Sequence, residues 1–153
     1  VQLRRSQHAK EHWPFGPKAG GGVMSAIVPL PAPFKDDRGT IQNLVDLPLG
    51  SALVILSKKG AVRANHYHKS DFHYSWLQSG KMIYAHRPVG SKEAPRQWVI
   101  GPGQLFYTPP MHEHVMQFLE DSVLFVVARN IRTSADYESD TIRIPPLALK
   151  PAT

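Results

Sequence analysis

The chain contains no cysteine, so disulfides and thiolate-held zinc are excluded, and any metal must be held by His, Asp or Glu. No apolar run reaches the length of a membrane span, and residues 1–22 lack the apolar core of a secretory signal, so the expectation is a cytoplasmic protein with no membrane partner. Helical periodicity is also missing: apolar residues nowhere recur at the three- and four-residue spacing that marks an amphipathic helix. Acidic residues are in deficit, 12 against 18 Lys and Arg, for a formal charge of +6. Arg4, Arg5, Lys10 and Lys18 against Glu11 place half of that charge in residues 1–23. The remainder carries no basic helix face, which argues against a nucleic-acid partner and suits an anionic small molecule such as a nucleotide diphosphate.

What the chain does contain is 153 residues, 42% of them hydrophobic, enough for one core and too few for two. Residues 1–23 mix charge, His, Pro and Gly without period and read as a tail or terminal arm. A single domain is expected over 24–145, with a C-terminal tail at 146–153. Short strands are expected at Ala26–Leu30, Thr40–Asp46, Ser51–Ser57, Phe72–Gln78, Lys81–Arg87, Gln97–Ile100, Leu105–Thr108, Val115–Leu119 and Val123–Arg129. A last edge strand is expected near Ile142–Ile144, after a polar stretch. The continuous run at Ala52–Leu56 is consistent with a strand buried on both faces. Asp36, Asp37 and Gly39 form a turn. Many short strands separated by turn signals indicate an all-β barrel or sandwich. Edge strands near the termini point to a homodimer formed by sheet extension.

The functional statement lies between Gly60 and Gly80. On an extended strand His66 and His68 share one face, with Val62 and Ala64, while Arg63, Asn65 and Tyr67 take the other. The inner face thus turns from apolar to imidazole along one strand. His73 follows on the next strand, at the parity of Ser75 and Leu77. Further on, Gly103 to Pro109 leads into His112 and His114. His86 reads as a hydrogen-bonded packing residue, and His112 as a substitute ligand or a support for the others. A set of imidazoles drawn from separate strands suits a divalent ion, Zn, Fe, Mn or Ni, or proton transfer without metal.

Gly60 to Gly80 resembles the first motif of the cupin superfamily, and Gly103 to His114 resembles its second. The resemblance implies a jelly roll, the double-stranded β-helix, with His66, His68, His73 and His114 as metal ligands. Two positions depart from the cupin pattern: His73 stands where Glu is usual, and Met111 where Gly is usual. Phe34-Lys-Asp36-Asp-Arg38-Gly39 and Arg63-Ala-Asn-His66-Tyr67 are similar to segments of nucleotide-sugar epimerases of the dTDP-4-dehydrorhamnose 3,5-epimerase type, except that Ala64 replaces their Gly after Arg63. The Asn65-His66-x-His68 form looks more like the dTDP-4-keto-6-deoxyglucose isomerases and the cupin domain of capsular-sugar reductases. This branch implies an isomerase or epimerase of polysaccharide biosynthesis, with His66 as base and Arg38 and Arg63 on the nucleotide diphosphate. His68 or a bound ion would stabilise the enediolate oxygen. The epimerases' acid tyrosine falls near Phe125, which has no proton to give. Alternative readings of the same residues are an iron-dependent dioxygenase and a non-catalytic sugar-binding domain.

Overall fold

The structure, a computed structural model, describes residues 25–152; the expected tail at 1–23 lies outside them. The chain runs β1 (Ile27–Val28), β2 (Phe34–Asp36), β3 (Gly39–Ile41), β4 (Ser51–Ser57), β5 (Val62–His68), β6 (His73–Ser79), β7 (Met82–Pro88), β8 (Arg96–Ile100), β9 (Leu105–Thr108), β10 (His112–Phe118), β11 (Ser122–Ala128), α1 (Ser134–Asp140) and β12 (Thr141–Arg143). Two five-stranded antiparallel sheets, ordered β1-β9-β6-β11-β4 and β12-β5-β10-β7-β8, form the body, and β2 and β3 pair as a separate hairpin. This is the all-β body expected from the alternating short strands, in the jelly-roll form that the cupin resemblance implies.

The inner faces change character along the strands. At one end Leu77, Phe106, Leu124, Met82, Ile100 and Phe118 are all 2% exposed or less and pack into one cluster. Each contributes on the order of 1.5–3 kcal/mol through burial. Midway, Tyr84 hydroxyl and Thr108 Oγ1 bond at 2.8 Å inside the barrel. At the other end the same parity carries His73, His86, His114, His66 and His68. The registers His114↔His66, His114↔His86 and His73↔Thr108 place them on neighbouring strands. Glycines at the tight reversals, such as Gly60 at φ 85° and Gly80 at φ 93°, supply the left-handed backbone with which the chain crosses from one sheet to the other.

Several expectations are corrected. β4 is an edge strand that pairs only with β11, and its burial alternates; Val54 and Leu56 are 61% and 68% exposed. A run of apolar residues on both faces therefore marks an uncovered outer face here, not a doubly buried strand. The strand expected at Thr40–Asp46 ends at Ile41, where it leaves its hairpin partner. A helix, α1, stands in the stretch read as polar tail. Its seven residues are fewer than two turns can show as period. Finally, the tail at 146–153 is not wholly detached. Leu147 is 8% exposed and packs with Ala85 and Val115 on the outer face of the second sheet, while its N–H donates to Asn65 Oδ1 at 2.9 Å.

Candidate functional site

Three of the expected ligands converge. The ligand nitrogens of His66, His68 and His114 lie within 4.8 Å of one another. Ring centroids of His66 stand 4.8 Å from His68 and 4.7 Å from His114. His73 occupies the adjoining position, 5.8 Å from His68 and 5.4 Å from His114, with its Nδ1 3.3 Å from Ser75 Oγ. Its nitrogens fall outside the converging group of three. His86 and His112 form a neighbouring pair, 5.1 Å apart, and His86 Nδ1 stands 3.3 Å from Tyr84 hydroxyl.

Hydrogen bonds fix which nitrogen carries the proton on two of the three. Thr141 Oγ1 donates to the carbonyl of Tyr137 at 2.6 Å, which leaves its lone pairs to accept from His68 Nδ1–H at 3.2 Å. His114 Nδ1 faces the carbonyl of His112 at 3.0 Å, and a carbonyl can only accept. Both rings therefore keep Nε2 unprotonated, with a free lone pair, as a metal ligand or a base requires. His66 is held by ring contacts with His68, His114 and Tyr137.

Electrostatics keep this cluster neutral. Burial, followed by the neighbouring His68 and the Arg132 and Arg143 guanidiniums, lowers the pKa of His66 to about 4. Burial, His114 and Arg132 bring His68 to about 3. Burial and His66 bring His114 to about 3 against the opposing His112 carbonyl bond, and burial drives His73 well below the ordinary value. At neutral pH the protein presents uncharged imidazoles under positive potential, a setting that favours an anionic guest.

Arg63 lands where strand parity did not put it. Ala64 and Asn65 both have positive φ, 70° and 53°, and the β5–β10 register slips by one residue between His114 and Val115. Arg63 consequently opposes Met116 and shares the inner face with His66. The expectation that it lies on the opposite face is overturned by this bulge, which adds one residue to the count. Arg63 Nε donates to Ser57 Oγ at 2.8 Å and Nη2 to Leu56 O at 3.2 Å, across to the edge strand β4. Arg38 sits in the β2–β3 hairpin with its side chain 86% exposed, and its guanidinium grips Asp36 two residues away.

The residues that sequence reasoning missed come from 130–143. Thr133 caps α1 by accepting from Asp136 N–H. The helix turns Tyr137 toward the histidines, its ring 6.3 Å from His66 and 5.7 Å from His68. Asp140 accepts from Ser70 N–H, Ser70 hydroxyl and Asp71 N–H, and its Oδ2 stands 3.9 Å from His68 Nδ1. Burial raises its pKa, but those hydrogen bonds outweigh it and hold the carboxylate ionised. Asp71, itself buried, accepts from Asn130 N–H and Arg132 Nε. β12 then sets Thr141 opposite His68 and Arg143 opposite His66. The one local signal was Thr133 with Asp136, a helix-start pattern in an otherwise polar stretch.

No family model matches this chain, and no curated protein does either. Solved structures do share its shape. The capsular polysaccharide assembling protein CapF from Staphylococcus aureus superposes with a TM-score of 0.57 at 22% identity, over 76% of this chain and 34% of that one. The chain thus spans about a third of CapF's length. The sugar 3,4-ketoisomerase QdtA from Thermoanaerobacterium thermosaccharolyticum, in complex with TDP, gives a TM-score of 0.60 at 18% identity over 73% of this chain and 82% of that one. The epimerase RmlC from Legionella pneumophila, in complex with dTDP-4-keto-L-rhamnose, gives 0.62 at 14% identity over 77% and 71%. At these identities the likeness establishes the cupin-type fold. Among the described residues no helix is long and apolar enough to cross a membrane.

Proposed function

We propose that this domain isomerises or epimerises a nucleotide-linked keto sugar in polysaccharide biosynthesis, by proton transfer next to the carbonyl. The observation that carries the reading is the converging trio His66, His68 and His114, neutral and under the positive potential of Arg132 and Arg143. The bound ligands of similarly folded proteins support a dTDP-sugar as guest. His66, whose ring no hydrogen bond ties down among the described residues, takes the proton from the carbon beside the carbonyl. The C–H electrons form a carbon–carbon double bond and the carbonyl oxygen becomes an enediolate oxygen. Protonation of the same carbon from the opposite face by a water molecule epimerises it, and His66 then releases its proton to solvent. Delivery from His66 to the former carbonyl carbon, with the neighbouring hydroxyl's proton passing to the former carbonyl oxygen, moves the ketone. A base held near pKa 4 is weak in the empty site, and a bound diphosphate raises it toward neutrality by placing negative charge nearby. Arg63, carried to the inner face by the bulge, and Arg38 are the residues assigned to the diphosphate.

The same nitrogens fit a divalent ion, Zn, Fe, Mn or Ni. His68 and His114 already have Nδ1–H anchored and Nε2 free, and the three donors close together would leave positions open, with His73 as the adjoining fourth ligand. Such an ion would supply charge stabilisation to the enediolate, and with its lone pair on the ion His66 could not also be the base, so the two roles of His66 are alternatives. Metal stoichiometry of wild type and His73→Ala tests the fourth ligand, since equal occupancy removes His73 from the set. A three-imidazole set also favours a second reading, an iron-dependent dioxygenase, which oxygen uptake by iron-loaded protein would reveal. The homodimer by sheet extension would form at the edge strands near the termini, β1 and β12, each the last strand of its sheet among the described residues; sedimentation decides its existence.

The deciding experiment is calorimetry with dTDP, followed by mass spectrometry of dTDP-4-keto-6-deoxyglucose incubated with the protein in deuterated water. Binding and deuterium uptake at carbon are expected. Absence of dTDP binding by folded wild-type protein sinks the reading, and binding without exchange leaves a non-catalytic sugar-binding domain.

A further inference from the structure

Among the charged groups near the histidines, one is buried, has no role in the chemistry above, and is held as if for a task. The Arg132 side chain is 15% exposed and leaves β11 on the loop into α1. Its Nε donates to Asp71 Oδ2 at 3.1 Å. Nη2 stands 3.0 Å from the same oxygen but off the line of a hydrogen bond and is sealed from solvent, so the donor left for a guest is Nη1, which has no hydrogen bond among the described residues. A carboxylate that accepts side-on through one oxygen leaves much of a guanidinium's donor fork unused.

The surroundings fix where that fork sits. Asp71 is itself 3% exposed and is pinned by Asn130 N–H at 2.9 Å, so the pair cannot swing into solvent. The guanidinium carbon lies 5.5 Å from the centroid of the Tyr137 ring, the ring that faces His66 and His68. The guanidinium therefore shares an aromatic wall with the two histidines. Its charge is felt by all four members of the cluster, lowering His66, His68, His73 and His114 alike. The facing groups of opposite sign are Asp71, already engaged, Asp140, occupied by Ser70 and Asp71 N–H groups, and the exposed Glu138, which is bonded to both Nη1 and Nη2 of Arg143.

We propose that Arg132, oriented by Asp71 and the Tyr137 ring, is the catalytic residue that binds the oxygen on which negative charge develops, across from His66. The assignment rests on the keto-sugar reading and deepens it, because proton removal by a neutral imidazole leaves an oxyanion that needs fixed donors in a dry site. Asp71 and Tyr137 act as positioning residues: the carboxylate fixes the guanidinium plane, and the ring holds its flat face. An alternative role, a brace between the β5–β6 loop and the β11–α1 loop, would use the same ion pair but require no donor to remain unaligned.

The test separates the two roles. Removing Arg132 alone strands the buried Asp71 charge and threatens folding, so the informative variants are Arg132→Lys, Asp71→Asn and the double variant Asp71→Asn/Arg132→Gln. The reported quantities are dTDP affinity, thermal midpoint and the rate of solvent deuterium entry into dTDP-4-keto-6-deoxyglucose. The double variant should bind dTDP within about twofold of wild type while exchange falls roughly 10²–10³-fold, the loss typical of one oxyanion donor. Asp71→Asn keeps the guanidinium and should lose about tenfold or less, whereas a brace predicts that Asp71→Asn and the double variant behave alike. Arg132→Lys, which keeps charge without the planar fork, should fall between them. Wild-type exchange in the double variant would overturn the assignment. If wild-type protein exchanges no deuterium at all, the keto-sugar reading fails separately. Arg132 is then judged by calorimetry with oxalate, a pair of adjacent oxyanions, on protein stripped with a chelator. Binding that the double variant loses and Arg87→Gln, whose guanidinium is paired with Glu113 away from the histidines, retains supports an oxyanion site, and absence of binding to wild type overturns it.

Discussion

The hairpin Phe34–Ile41 and the segment Asn130–Arg143 contain the same ingredients, an aromatic ring, aspartates and arginines, yet they use them in opposite directions. In the hairpin Arg38 turns back on Asp36, its side chain 86% exposed, and Phe34 and Ile41 stay 59% and 67% exposed. In the second segment Arg132 reaches Asp71, Asp140 reaches Ser70 and Asp71, and Tyr137 faces the histidines. The difference is distance along the chain. Asp36 and Arg38 are two residues apart, whereas Asp71 and Arg132 are 61 apart and Asp140 and Ser70 are 70 apart. A motif of near neighbours can be read in one line of sequence and still be satisfied by itself. Contacts between distant segments build the site and leave no local spacing to find.

The largest effect expected from breaking this comparison is at Thr141, the hydroxyl that accepts from His68 Nδ1–H. Thr141→Val keeps shape and removes the acceptor, so a buried N–H is left unpaired and the ring is free to turn or to change tautomer. Catalytic exchange, or metal affinity if an ion is held, should fall about 10–100-fold, the usual loss for such an orienting partner. Thr141→Ser should recover most of it. Equal rates in the Val and Ser variants would show that Thr141 does not orient His68.

A second effect follows from the neutral histidines. His66 and His86 are held near pKa 4, and His68 and His114 near 3, all chiefly by burial, against an ordinary value of 6.5. Between those folded values and 6.5 the unfolded chain binds more protons than the folded one, so unfolding is favoured as pH falls through that window. The thermal midpoint should be flat above pH 7 and drop steadily from about pH 6.5 toward pH 4. His86→Phe, which removes one of these groups across the strand pair from His114, should reduce the slope. An unchanged midpoint from pH 7 to 5 would mean that these imidazoles titrate normally.

The short strands and the shared face of His66 and His68 were legible because alternation and turn glycines act locally and repeat. The jelly roll and the joining of His114 to that pair came from the resemblance of two spaced motifs, and the order of strands within the sheets was not legible. Nor was the face of Arg63, because counting by twos assumes an unbroken strand and the bulge at Ala64 and Asn65 adds one. A trace of it existed: Ala64 and Met111 stand where relatives of this pattern carry Gly. Both have positive φ here, 70° and 55°. The departures from the motif therefore mark strained backbone, not a different path of the chain. Ala64→Gly and Met111→Gly should each stabilise the fold by about 1 kcal/mol, since L-residues pay roughly that in left-handed backbone, less the added chain entropy of glycine. Chemical denaturation checks this, and a loss of stability in both would mean that the bulge and the β9–β10 turn adopt another conformation.

The smallest effect belongs to Arg38, and it tests the hairpin half of the comparison. An exposed guanidinium paired with an aspartate two residues away gains little, because water screens it and two side chains must be held still. Arg38→Gln should therefore leave the thermal midpoint within error. If Arg38 is to serve the diphosphate, it must first leave Asp36, so part of the phosphate contact is offset by the pair it breaks. The loss in dTDP affinity should be only several-fold, smaller than for Arg63→Gln, whose guanidinium is already held in place by Ser57 Oγ and Leu56 O on β4. Asp36→Asn gives the opposite sign: with the aspartate neutral Arg38 is released, and dTDP should bind slightly tighter. Calorimetry on the three variants decides the matter. Indifference of dTDP to both Arg38→Gln and Asp36→Asn would remove the hairpin from the site and leave the histidine pocket and residues 130–143 to act without it.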